Sequence, residues 1–165
     1  MFMANQIRSD TIKNLKPGTV FAKRVSSGFK LFMRAVEIGE EGTETHCIIM
    51  LDGEMSNGNQ YFPLSQTRND PVIYYPDAFI EFSVFGEKWK MATDSFRYSF
   101  DVILSDGSAY FVFGYGMGEI GHLNISTGVI DFSEKIIANV TREYKILSQN
   151  PGDAEPTILF ERKDQ

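Results

Sequence analysis

Cysteine, basic charge and long apolar runs are all scarce in this sequence. Cys47 is the sole cysteine among 165 residues, so no intrachain disulfide can form. A lone thiol suits a reducing compartment, because small secreted domains usually carry several bridges. Lys and Arg number 16 against 22 Asp and Glu, a net charge of −6. Phosphate binding needs clustered basic side chains, so nucleic acid is not an expected partner. No apolar stretch approaches bilayer-spanning length, and the opening residues MFMANQIRSDTIKNLKPG hold no apolar core behind a basic start. Neither a membrane span nor a signal peptide is therefore read, and the expected location is cytoplasmic.

What remains is the composition of an ordinary folded chain, with 42% hydrophobic and 23% charged residues. The length fits one domain, 1–165, large enough to bury roughly 70% of its unfolded surface without a metal or disulfide staple. A division near Pro76, into a small SH3-like barrel (1–75) and a β-meander with a helix (76–165), is the alternative. Fourteen Phe and seven Tyr favour strands.

The pattern along the chain agrees. Thr19–Val25 and Phe29–Ile38 read as a hairpin about Ser26-Ser27-Gly28, and His46–Leu51 as a short buried strand. In Phe79–Phe85 apolar and polar residues alternate as a half-buried strand requires. Asp106-Gly107 between Tyr98–Leu104 and Ala109–Tyr115 has the positive φ preference of a tight hairpin turn. Ile120–Ile125 and Val129–Phe132 continue the meander. Alternation turns Asp101 outward.

Two helices are expected. A short one starts at Ser9 and stops before Pro17. A longer one opens at Ser133, with Ile136, Ile137, Val140, Tyr144 and Leu147 within an arc of roughly 100°. The expected fold class is therefore α+β: mainly antiparallel strands in a strongly coiled sheet or partly open barrel, with one amphipathic helix packed on it near the C-terminus.

Four groups of residues invite a chemical reading. Gly116-Met117-Gly118-Glu119-Ile120-Gly121 has dinucleotide-binding spacing, but it leads into a strand where a pyrophosphate needs a helix N-terminus. A glycine-rich bend is the better reading, and no cofactor is expected. Cys47 with His122 as base and Asp131 as orienter is the one nucleophilic constellation, which requires distant strands to pair in register. His46 cannot serve Cys47, since adjacent strand residues point to opposite faces. One Cys and two His match no zinc pattern, so no metal is expected. Acidic loops are the fourth feature. Glu37, Glu40, Glu41 and Glu44 surround one turn, and Asp52 and Glu54 follow the next strand. If the two strands pair, the groups stand one strand length apart and frame an acidic edge for a basic partner.

The reading that follows is a non-enzymatic protein-binding domain, such as an acidic inhibitor or immunity-type protein that neutralises a basic protein, with Glu40, Glu41, Glu44, Asp52 and Glu54 as contacts. No motif ties it to a family. The alternatives are an enzyme or small-ligand binder with a pocket in the curled sheet around Cys47 and His122, and a structural subunit of a larger assembly.

Overall fold

The computed structural model describes residues 8–53, 59–82, 90–91, 101–116, 118–135 and 139–163. The strands are β1 (Arg8–Thr11), β2 (Val20–Val25), β3 (Gly28–Ile38), β4 (Glu44–Met50), β5 (Tyr61–Pro63), β6 (Pro71–Tyr75), β7 (Ala78–Glu81) and β8 (Lys90–Met91). They continue with β9 (Val102–Ser105), β10 (Ser108–Gly116), β11 (Glu119–Asn124), β12 (Val129–Asp131), β13 (Asn139–Thr141), β14 (Tyr144–Ser148) and β15 (Thr157–Arg162). Twelve of them form one mixed sheet in the order β1-β6-β2-β3-β12-β11-β10-β9-β13-β8, with β4 branching from β3 and β5 from β4. The other three form a small sheet, β15-β14-β7.

The large sheet curls around its own core. Val20, Met33, Ala35, Cys47, Ile49, Tyr61, Phe111, Phe113, Leu123 and Ile130 point inward from strands across the sheet, and Tyr144 and Ile146 of the small sheet close over them. Tyr144 also donates its hydroxyl to the Leu51 carbonyl at 2.8 Å. On the outer face Phe21, Phe32, Ile48 and Val72 are covered by Ile12 and Leu15. The curl brings β5 toward β10, where Gln60 donates its N–H to the Gly114 carbonyl at 3.0 Å and accepts the Gly114 N–H on Oε1. One residue makes both bonds and no ladder between β5 and β10 follows among the described residues, so the sheet is not closed into a barrel.

The architecture is mainly β, not α+β. Among the described residues the helical segments are 3-10 turns of three residues each, at Ile12–Asn14, Glu40–Gly42 and Leu64–Gln66. None is long and apolar enough to cross a membrane. The amphipathic helix expected from Ser133 is not there: β13 and β14 occupy its C-terminal part, and 136–138 lie outside the described residues. Local chemistry accounts for the difference. Asp131 Oδ1 accepts the Ser133 N–H at 2.8 Å, and Thr141 Oγ1 accepts the Glu143 N–H at 3.1 Å. Such side-chain turns compete with helical bonding. Tyr144 and Ile146 then alternate with Lys145 at the period of a strand.

Ser9 likewise lies in β1, paired with Ile73, and only one 3-10 turn follows. Asp10 supplies the turn chemistry expected of Ser9, its Oδ1 accepting from Thr11 N–H and Asn14 Nδ2, both at 2.7 Å. Asp101, expected to face solvent, is 2% exposed and accepts from Arg142 Nε at 3.1 Å. The Asp101 main-chain carbonyl accepts the Val112 N–H at 2.8 Å, so it continues the β9–β10 pairing on the face of Ile103, and that face is covered instead of open to solvent. Asp106-Gly107 does form the β9–β10 turn, both residues with positive φ (49° and 75°).

Two close approaches lock the frame. Gly121 pairs with Phe113, whose ring lies across it: a Cβ at 121 would stand 2.3 Å from Phe113 Cζ. The ring fills the space that a side chain would take, as aromatics commonly do beside strand glycines. Gly128 (φ +72°) sits where the Ser126–Gly128 loop meets the N-terminal connection. A Cβ there would lie 2.1 Å from Gly18 N and 2.9 Å from the Arg34 carbonyl. Gly107 has φ +75° but nothing within 4 Å, so it isolates backbone strain from crowding. Gly107→Ala should cost about 1–2 kcal/mol, and Gly128→Ala about 3 kcal/mol or more, in urea unfolding. Equal losses would show that the contact at Gly128 is loose.

Candidate functional site

The register collects several strand ends at one end of the curl. β12 runs parallel to β3, with Val129 opposite Val36 and Ile130 opposite Glu37. Ile38 and Phe132 therefore emerge at the same end. β11 returns beside β12 with His122 opposite Asp131, and β10 beside β11 with Phe113 opposite Gly121, which brings Tyr115 to that end as well. The Tyr115 ring meets Phe132 at 5.0 Å and Tyr61 at 4.8 Å, both edge to face. Phe113 stacks beneath, 6.4 Å from Tyr61 and 6.1 Å from Phe132. Tyr61 is buried, whereas Tyr115 and Phe132 are each 38% exposed.

Carboxylates lie at the same end of the sheet. Glu37 follows Met33 and Ala35 on the inner face of β3 and is half-buried. Burial raises the pKa of both the Tyr61 hydroxyl and the Cys47 thiol, and the Glu37 charge adds a smaller push in the same direction. Glu40, Glu41, Glu44 and Glu119 are exposed. Glu41, with φ 59°, sits in the tight turn that joins β3 to β4. Glu44 is engaged by His46, Oε2 to Nε2 at 3.1 Å.

The predicted nucleophilic constellation is split across the sheet. Cys47 points inward, opposite Ala35, and is fully buried. Burial pushes its thiol up to about 12, the opposite of an activated thiolate. His122 and Asp131 are directly opposite one another, but on the outer face. Burial lowers the His122 pKa, against the main-chain groups of Asp131 and Ser133, and its Nδ1 has no partner. Partial burial raises the Asp131 pKa, but hydrogen bonds from Lys135 and Ser133 outweigh this and bring it to about 2. Lys135 also lies over the Tyr110 ring at 4.8 Å. This is a buried imidazole beside an engaged ion pair, on the face of the sheet away from Cys47.

Asp52 is also separated from the acidic turn. It lies beyond the far end of β4, where its Oδ1 accepts the Leu31 N–H at 2.7 Å. Burial raises its pKa to about 6, above the usual carboxylate range. Glu54 lies outside the described residues. The Gly116, Gly118 and Gly121 spacing belongs to the turn between β10 and β11, where Gly116 pairs with Glu119 across a register shift, and Met117 lies outside the described residues. Among the described residues no three His, Cys, Asp or Glu side chains group as metal ligands.

The aromatic end was not read from the sequence, although two signals for it are present. Glu37 breaks an inward row of apolar residues, and Tyr115 and Phe132 each stand at a strand end before a turn. Their meeting depends on the parallel β3–β12 pair. Arg34 is a second unread feature: 3% exposed, its Nη1 donates to the Ala35 and Cys47 carbonyls at 2.7 and 3.2 Å, while Nε has no partner. A separate open groove of about 410 Å³ lies between Asp77, Phe79 and Gln149–Asp153. Asp153 is already occupied there, accepting from Asn150 N–H and Nδ2.

No protein-family model, curated protein or solved structure matches the chain.

Two outcomes test these assignments. Iodoacetamide at pH 8 should alkylate Cys47 about a thousandfold more slowly in the native chain than in urea; equal rates would remove the buried-thiol assignment. The folded chain holds the Asp52 proton more tightly than the unfolded chain, whose pKa is near 3.8. Stability should therefore fall as pH rises from about 4 to about 6, and this contribution stays lost above that window. Asp52→Asn keeps the acceptor and should raise Tm by a few degrees at pH 7 while flattening that fall. An unchanged pH profile would show Asp52 to be solvated.

Proposed function

We propose that the chain is a non-enzymatic protein-binding domain that engages a basic protein through the aromatic, acidic end of its large sheet, in the manner of an inhibitor or immunity-type protein. The observation that carries this reading is the juxtaposition at that end: Ile38 (55% exposed), Tyr115 and Phe132 amid the exposed carboxylates of Glu40, Glu41 and Glu119. Partly exposed aromatics supply the desolvated centre that binding energy needs, and aromatic residues are enriched at such centres. Surrounding carboxylates steer a cationic partner and reject an anionic one.

Charge strengthens the case. The chain carries six more acidic than basic side chains, 22 against 16. Several acids are committed to the frame: Asp101 to Arg142, Asp131 to Lys135, Asp70 to Lys23. Among the described residues Glu40, Glu41 and Glu119 stand outside such pairs, and all three are exposed.

The test is capture from source lysate at low and moderate salt, followed by kinetics on whatever binds stoichiometrically. Glu40→Lys with Glu41→Lys should slow association by about tenfold at low salt and flatten its salt dependence, with dissociation little changed. A partner whose association rate ignores both the reversal and the salt would remove this end as its docking surface.

A further inference from the structure

The proposed docking end contains one group whose chemistry its surroundings leave incomplete. Glu37 is half-buried on the inner face of β3, level with Ile130 of β12 and one residue short of Ile38. Among the described residues no donor and no cation pairs with it. Its carboxylate oxygens are not sealed from solvent, so an incoming cation can reach them and form a charge-assisted pair. Beside it stand the rings of Tyr61, Tyr115 and Phe132, and two of these leave more than a third of their surface uncovered. The rings meet at interplanar angles of 77° and 64°, so the exposed ones present faces in different directions.

We infer that this end is a socket for a single arginine side chain of the partner, its guanidinium stacked on the ring of Phe132, with Tyr115 flanking it edge to face, and paired with Glu37. Arginine fits better than lysine for three reasons. Its planar fork pairs with a carboxylate through two hydrogen bonds, it stacks on aromatic faces, and it gives up hydration more readily than an ammonium. Tyr61 and Phe113 serve as the floor. Phe113 is held in place by the space at Gly121, which links the geometry of the socket to the glycine.

This assignment rests on the reading of the chain as a binder of basic proteins, but its test needs no partner. Nα-acetyl-arginine amide is titrated into the full chain while the ring protons of Tyr115 and Phe132 are followed by NMR, with the lysine and citrulline analogues as controls. The arginine probe should shift both rings saturably, with a dissociation constant on the order of millimolar. Citrulline, an uncharged analogue of similar shape, should bind at least about tenfold more weakly. Glu37→Gln should lose a similar factor toward arginine while its Tm stays within a few degrees of wild type. Phe132→Leu, which keeps apolar bulk, should lose the stacking response. Equal titration by citrulline or lysine, or undiminished arginine binding by Glu37→Gln, would overturn the socket. Such a failure leaves salt-dependent capture through Glu40 and Glu41 standing. Conversely, arginine binding by a chain that captures no basic protein would retain the socket and remove the larger reading.

Discussion

Two sections of the large sheet, one carrying β1 to β6 and the other β8 to β13, are joined along a short parallel seam where β12 lies beside β3. Val36 N–H donates across it to the Gly128 carbonyl at 2.9 Å, and beside it Gly18 N–H of the N-terminal connection donates to the Arg34 carbonyl at 2.7 Å. Parallel pairing needs a crossover connection, and here most of the chain lies between the two strands. The direction of the seam also decides where the aromatic end forms. With β12 antiparallel to β3, Phe132 would emerge at the opposite end from Ile38 and Glu37, and no cluster would arise. Gly128 makes the approach feasible, because its missing Cβ is the space that Gly18 and the Arg34 carbonyl occupy.

Charge is divided between frame and surface by burial. Asp52, Asp101 and Arg34 are drawn into the protein and answered by main-chain or ionic partners. Gln60 does equivalent neutral work, bridging β5 to β10 where a ladder would otherwise be needed. Groups used this way stabilise the frame only while their partners remain, since an unanswered buried polar group costs about 1–3 kcal/mol. Of the surface acids at the β3–β4 turn, Glu44 is engaged by His46, while Glu40 and Glu41 have no such duty among the described residues. One acidic count in the sequence thus covers two populations with different physical roles.

Local turn chemistry was legible in the sequence, and long-range register was not. Asp106-Gly107, the β2–β3 hairpin and the buried run ending at Leu51 follow from residues within reach of each other. The stretch from Ser133 misleads because its apolar residues satisfy both a helical arc and, from Val140 onward, a broken strand pattern. Thr141 and Asp131 settle that competition through bonds to nearby N–H groups. Asp101 misleads because alternation gives a residue's face and not whether a distant element, here β13 and Arg142, covers that face. The acidic turn was legible as a charged feature. Its aromatic neighbours were not, because Glu37, Tyr61, Tyr115 and Phe132 meet only through a parallel seam and a curl that no local pattern encodes. His122 and Asp131 do lie opposite each other, but the face they share turns them away from Cys47.

The open curl explains why strong hydrophobes remain at a polar end. A closed barrel gives every inward ring neighbours on all sides. Here β5 has only three residues, and among the described residues its side of the curl bonds to the β10 main chain through Gln60. Tyr115 and Phe132 therefore keep over a third of their surface open despite their ring contacts with Tyr61 and Phe113. Burying them fully would contribute roughly 25 cal/mol for each Å² removed from water. The fold forgoes that gain internally, which leaves it available to a partner. The adjoining carboxylates disfavour self-association through this patch, since like charges would be brought together. An oppositely charged protein meets no such penalty, and the same two features, bare rings and unpaired acids, then act in the same direction.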